Sequence, residues 1–506
     1  MATNSLALTG MPSTQPIPGD FVEVRFAQGQ SAGDAGVKKV LLIGPKLSTG
    51  TITADTEIGG PYASSDEVSD VAGTGSVAHR MAKKFFQIAG AGGGAFELYI
   101  LCPTESAGVA ASGAITFATT PTGAGVASVI AAGVQYDYAY TASDTVTTVA
   151  AGLKAVINAD VDAPFTADNS AGVLTLTAKI KGPEGNTIRL YGRTTAGTAV
   201  TASVTASTAF SSGATATAYT TALATILGQK FDYIVPHCVD TTAIDLIKTQ
   251  ITTQALPATG YRQKVLTGLC LSASAAATLA SGRNHERFDF ANLESSEVEC
   301  YVLGAAFAAV RVLQEVTDPS YNFDGYGTKG GTSLPIPAPS KKGDWFTNTE
   351  LSTQLQSGVT PIGVDSRGNP YIVRSVTSRC LNGSNLDFRV RDSVRVCVAD
   401  RLAADWIVRI STAGYSKLTS DPLNQGQEPD GNFATPRRGK AIAEQLVSDY
   451  CSNGWLDPGL KATMLAGIST AIDSNNASAL NVRIPIYVVN MLHQTRTLVA
   501  ESSPAV

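Results

Sequence analysis

The sequence predicts a mixed α/β and α+β multidomain protein: a discontinuous α/β core, an inserted mostly-β domain, and extended strand arms at both ends. Three observations carry this. Apolar runs of strand length alternate with helical patterns over residues 38–103 and resume at 231–271, the order expected of parallel crossover units. Between them, residues 103–213 turn to Thr, Ala, Gly and Ser with period-two alternation, which marks an insertion. Finally, each end carries an isolated strand pattern. Val22, Val24 and Phe26 alternate with Glu23 and Arg25, and Ile484, Ile486 and Val488 alternate with Pro485 and Tyr487.

In order along the chain, "KKVLLIGP" (38–45) reads as a buried strand closed by Gly-Pro. A helix follows from about Ser76, with Val77, Met81, Phe85 and Ile88 at helical spacing and Gly90 as its cap. "AFELYILCP" is the next strand. Within the insertion, Val146, Val149, Leu153 and Val156 form a helix behind Asp144, and "GVLTLTAKI" a strand. "FDYIVP", "TTAIDLIKTQI" and "KVLTGLCL" resume strand, helix, strand, and Pro319 stops the Ala-rich helix before it. The Gly- and Pro-rich 325–343 segment predicts a loop. "GNPYIVRSVTS" predicts a strand, and Val394, Val398, Leu402, Trp406 and Ile410 a helical stripe. A last helix carries Ile442, Leu446 and Tyr450. The expected units are an arm (1–36), a divided core (37–102 and 214–340), the insertion (103–213), a C-terminal α+β domain (341–482) and a second arm (483–506).

Composition narrows the function. The 506 residues suffice for about three domains. A formal charge of −5 lacks the basic footprint that nucleic acid or an anionic membrane would require. Seven scattered Cys without a C-x-x-C pair read as free thiols in a reducing compartment. The opening residues lack a secretory pattern, and no apolar run approaches the roughly 20 residues of a membrane span.

Motifs for catalysis or cofactors are sought and mostly not found. Gly90 to Ala95 match G-x-G-x-x-A but follow a helix and precede a strand, the reverse of a dinucleotide loop. The Lys of "GTKGGTS" is misplaced for a phosphate loop. His237, Cys238 and Asp240 lie just past a strand end, the most enzyme-like place in the chain. Adjacent residues of an extended chain point apart, however, so a loop with a buried thiol is the expectation. Asn158, Asp160 and Asp162 begin like a calcium loop, but the Gly and closing Glu are missing. The four His are far apart, and no cofactor or metal is expected.

The end strands suggest another role. A strand parted from its own core by a flexible arm can complete a neighbour's sheet, and the "AQGQSAGDAG" that follows Phe26 has no large apolar residue to hold it down. Two such arms would link every copy to others, in rings or open helices.

With these features in place, the chain resembles the tail sheath proteins of contractile-tailed bacteriophages, most nearly the Mu-type group. The resemblance runs through "IPGDFVEVRF…KKVLLIGP", "FDYIVPHCVDTTAIDLI" and "AAFAAVRVLQEVTDPSYNFDGYGTKG". It continues through the Gly-Asn-Pro strand of "GVTPIGVDSRGNPYIVRSVTSRCLNGSNLDFRVRDSVRVCVADRL", "GKAIAEQLVSDYCSNGWL" and "NVRIPIYVV". Residues 103–213 fall outside it and resemble small decoration domains. The resemblance implies a structural subunit, not an enzyme, that forms hexameric rings stacked around a tail tube. It implies baseplate and tail terminator proteins as further partners, with no direct nucleic-acid contact and no membrane insertion. Assembly in the host cytoplasm, a place in the virion, and contraction that drives the tube through the host envelope are implied with it.

By the same resemblance, Val22, Val24, Phe26, Ile484, Ile486 and Val488 are donated between subunits. Tyr371, Ile372, Val373 and Arg374 then form a receiving strand, and the basic knot Arg437, Arg438 and Lys440 is the tube contact. The alternatives are the sheath of a headless contractile bacteriocin or injection system, a surface adhesion protein, or an α/β enzyme using His237 or Cys238.

Overall fold

The computed structural model describes residues 37–90, 95–204, 208–237, 240–324, 332–387, 389–421 and 432–491. Val22, Val24 and Phe26 therefore lie outside the described residues, as does Cys238. β1 (Lys38–Ile43) is wholly buried from Val40 onward, as a strand covered on both faces of a parallel sheet must be. The chain continues through β2 (Ile58–Tyr62), α1 (Ser65–Ala72), α2 (Val77–Ala89) and β3 (Phe96–Leu101). Ser76 caps α2 by accepting from the His79 amide, and Gly90 ends it at a φ of 64°, where a side chain would be strained. β3 runs parallel to β1 over six residues, and β2 lies antiparallel outside it.

Residues 110–204 leave this sheet. β4 (Ala110–Ala118), β5 (Gly125–Ala131), β6 (Val134–Tyr140), α3 (Val146–Ala159), β7 (Phe165–Ser170), β8 (Val173–Lys181), β9 (Leu190–Thr194) and β10 (Thr201–Val204) form two antiparallel sheets, ordered β10-β4-β8-β7 and β6-β5-β9. They enclose their own core, with Ile115, Val129, Leu153, Phe165 and Leu176 at its centre. α3 is capped by Thr145, one residue later than the pattern suggests. Asp144 instead accepts from the Thr141 amide at 2.7 Å, closing the turn before the helix.

After α4 (Thr220–Thr225), β11 (Tyr233–Pro236) returns beside β1 on the side away from β3. Then follow α5 (Thr241–Gln254), β12 (Lys264–Leu269), α6 (Ala273–Arg283), β13 (Phe288–Asn292), α7 (Cys300–Thr317), β14 (Thr332–Ser333), α8 (Asn348–Gln356), β15 (Val359–Val364) and β16 (Pro370–Ile372). The nine-stranded order is β14-β16-β15-β13-β12-β11-β1-β3-β2. The strands from β15 to β3 run parallel, and the edges are antiparallel. The expected boundary at residue 340 thus falls inside the sheet. The physical reason is β15, whose first five residues are buried like those of an interior strand.

α7 is long and apolar enough to cross a bilayer by length and composition, a feature the residue count along the sequence had not suggested. Here it is the core helix. It lies so close on β12 that a Cβ at Gly268 would meet the Cys300 carbonyl oxygen at 2.1 Å. Its wholly buried Arg311 binds Asp289 of β13, Glu315 one turn on and, at 2.7 Å, the Ser375 hydroxyl. Paired this way, the charge is tolerated inside.

The last part comprises β17 (Leu381–Asn382), β18 (Asn385–Leu386), α9 (Ser393–Thr412), β19 (Lys417–Leu418), β20 (Phe433–Ala434), α10 (Pro436–Ser452), α11 (Lys461–Gly467), β21 (Ser469–Ile472) and β22 (Leu480–Arg483). Val398 and Leu402 of α9 meet Leu446 and Tyr450 of α10 over Met464 of α11 in a separate core.

Candidate functional site

Doubly wound sheets bind ligands outside the carboxyl ends of their strands, where the strand order reverses. In this chain the order reverses between β1 and β11, and His237 stands there, its amide bonded to the Ile43 carbonyl at 2.8 Å. The place is closed. His237 is 2% exposed, and its Nδ1 meets the Tyr219 hydroxyl at 2.7 Å. Glu184 of the inserted unit and His237 line one cavity of about 20 Å3. Burial pushes His237 down to about 3, so it stays neutral. Among the described residues, no group of three or more His, Cys, Asp or Glu is placed to hold a metal ion.

The expected receiving strand is occupied within its own chain. Tyr371 and Ile372 pair with Gly363 and Ile362 of β15 on one side and with Ser333 and Thr332 of β14 on the other. The Val373 amide bonds the Pro361 carbonyl at 3.2 Å, and Arg374 forms a two-pronged ion pair with Asp392 at 2.7 and 2.9 Å. A neighbour's strand could enter here only by displacing β14.

The strand read at Ile484, Ile486 and Val488 ends earlier, at Arg483, because Pro485 has no amide to continue a ladder. The alternation survives as burial: Ile486 and Val488 are 2% and 7% exposed in the core of α9, α10 and α11, Ile484 is half-buried, and Tyr487 faces out. Backbone bonds hold the segment in place, from the Asp457 amide to the Tyr487 carbonyl at 2.8 Å and from the Val489 amide to Trp455 at 3.3 Å. In the single chain this segment is thus seated on its own helices.

The basic knot opens α10. Arg437 is exposed, Arg438 donates to the Phe433 carbonyl at 2.8 Å, and Lys440 stands 3.7 Å from Glu444 one turn along.

Sequence reasoning missed β21. It pairs with β22 from Ser469↔Arg483 to Ile472↔Leu480, with Asp473 accepting the Asn475 and Asn476 amides in the turn. The signal was four small or half-buried residues, too short to stand out. Leu480 lies against Gly439 of α10, where a Cβ would come within 2.8 Å of it. Among the described residues neither edge of this ribbon meets a third strand. A two-stranded ribbon is marginal by itself and offers two rows of backbone groups for pairing.

The chain is similar to a structural protein of a prophage tail. In particular, it is 26% identical over 381 residues to the Mu-like prophage FluMu tail sheath protein of Haemophilus influenzae, covering 74% of each chain. The resemblance to Mu-type tail sheath proteins is thereby carried by a curated relative. No family model matches the chain. Among solved structures, the sheath tail proteins of Desulfitobacterium hafniense and Listeria innocua align at TM-scores of 0.47 and 0.46, each 11% identical. They cover 93% and 91% of this chain and 97% and 94% of theirs.

Proposed function

We propose that this chain is the subunit of a contractile tail sheath. Its copies form hexameric rings stacked around a tail tube, between a baseplate and a tail terminator. On contraction they drive the tube through the host envelope, and the particle assembles in the host cytoplasm. The observation that carries this reading is the 26% identity to a tail sheath protein over 381 residues. The work of contraction comes from the difference between two subunit packings, which needs no nucleotide.

The β21–β22 ribbon refines the connection between copies. Its open edges make it the receiver, in place of Tyr371–Arg374. The arm carrying Val22, Val24 and Phe26 and the segment carrying Ile484, Ile486 and Val488 are the donors, adding backbone pairs on either side of the ribbon. Arg437, Arg438 and Lys440, on the helix that supports the ribbon, face the tube.

Negative-stain electron microscopy tests this on the purified full chain and on a version lacking residues 1–26. The full chain is expected to form striated hollow tubes, and the truncated chain none. Tubes from both would remove the N-terminal arm as the link. Compact particles from the full chain at every concentration and salt would overturn the sheath itself.

A further inference from the structure

Glu184 lies in one turn of 3-10 helix, Pro183–Thr187, in the inserted unit, and His237 follows β11 where the strand order of the core sheet reverses. They belong to different units, yet both line the cavity of about 20 Å3. Glu184 is 4% exposed and His237 2%. A separate set of contacts holds the turn at this place. The Thr187 hydroxyl meets the Cys300 sulfur of α7 at 3.9 Å, and that sulfur meets the His237 carbonyl oxygen, also at 3.9 Å. The walls are mostly apolar, from Val77 of α2 to Pro164, Ala178 and Ile188 of the inserted unit. Of the other polar side chains in the lining, Lys181 is exposed to solvent and the Tyr301 hydroxyl donates to Glu299 at 3.3 Å.

Two polar atoms are left over here. Among the described residues, neither Glu184 Oε1 nor His237 Nε2 has a hydrogen-bond partner, although both atoms are buried. His237 Nδ1 is already engaged by the Tyr219 hydroxyl, which leaves Nε2 as the ring nitrogen to be satisfied. Buried polar atoms are nearly always bonded, to protein or to ordered water. A cavity of this size holds one water, and a buried water needs two to four polar partners. The two atoms supply the minimum.

We propose that this cavity is a site for one structural water, which joins Glu184 Oε1 to His237 Nε2 and so fastens the inserted unit to the core sheet. The water gives one hydrogen to Oε1, which can accept whether or not the other carboxyl oxygen carries a proton. Towards Nε2 it gives its second hydrogen or accepts one, according to the tautomer that the Tyr219 hydroxyl selects. The bridge therefore suits both ring tautomers and both carboxyl states. It also couples the two residues. An apolar side chain in place of one leaves the other facing a water that has lost a bond, whereas apolar side chains in place of both remove the polar demand altogether.

The test has two parts. A crystal structure of the purified full chain, at a resolution that shows ordered water, is expected to hold one density peak within about 3.2 Å of both atoms. A double-mutant cycle by urea denaturation then uses Glu184→Met and His237→Phe at about pH 6, where both parent side chains are neutral in the fold. The change from both substitutions together is expected to fall short of the sum of the separate changes by about tenfold in the unfolding equilibrium constant. A peak bonded to both atoms, with non-additive variants, supports the fastening. A cavity without a peak, or one filled by a neighbouring side chain, would overturn it. Additive variants beside a peak would overturn it too, since the water would then join nothing. Should a variant fold poorly, the density in the parent chain decides by itself. Neither readout depends on tube formation, so the proposal stands or falls apart from the sheath reading.

Discussion

Glu184 and His237 face one small cavity and are pushed in opposite directions by the same cause. Burial, reinforced by Asp240, raises Glu184 to about 7, while burial lowers His237 to about 3. Folded Glu184 keeps its proton over a range where the unfolded chain has lost it. Its contribution therefore falls as pH rises from about 4.5 to about 7 and is level above that. Folded His237 refuses a proton that the unfolded chain accepts, so its contribution falls as pH drops from 6.5 toward 3. Between about 4.5 and 6.5 the two slopes oppose each other. Glu184→Gln removes the first slope. Urea denaturation should then show the variant more stable than the parent at pH 8 and about equal to it at pH 4.5. Parallel stability curves for the two chains across this range would show that the Glu184 carboxyl does not titrate in the fold.

At the scale of elements, the segment 484–488 has two claims on it: its own core and, in the proposed lattice, a neighbour's ribbon. Ile486 decides between them. Ile486→Asp places a carboxylate among Val398, Leu446 and Met464, and is expected to lower the stability of the unassembled chain by about 3 kcal/mol. That loss would be read as a lower urea midpoint at concentrations too low for tubes. An unchanged midpoint together with lost tubes would show that the segment acts only between subunits.

The same elements show what could be read from sequence. α2 was legible from its apolar stripe and the Gly90 cap, α7 from its Ala-rich run and the Pro319 stop, and α9 from its apolar stripe, because such signals are local. The core strands were legible because parallel strands buried on both faces are plain apolar runs. β15 was not assigned to the core sheet because its partner β13 lies more than 60 residues earlier, and pairing at that range leaves no local mark. β21 and β22 were obscure for a related reason. Each is short and half-buried, and their open edges are visible only once the register is known. Of the candidate site, the alternation at 484–488 was legible and survives as burial, whereas the β21–β22 ribbon was not.

At the scale of the whole molecule, the inserted unit is an appendage whose removal the fold should survive. Its strands pair with one another, its core is its own, and its ends meet: Val109 and Ala214 form an antiparallel bridge, with the Val109 amide 3.3 Å from the Ala214 carbonyl. Polar contacts help fasten it to the core, beside Ile180, which packs against the core cluster. Arg80 of α2 reaches the Asp162 carbonyl at 3.0 Å, Lys83 pairs with Asp162, and Arg189 stands 3.5 Å from Asp344. Such pairs near the surface contribute little individually. Replacing residues 109–214 by a short Gly-Ser link should leave a cooperatively folded core by circular dichroism. If the unit only decorates the particle, the shortened chain should also form tubes with the same axial striation and a smaller outer diameter. Folded protein without tubes would instead place residues 109–214 between subunits and give the low-charge domain a part in the lattice.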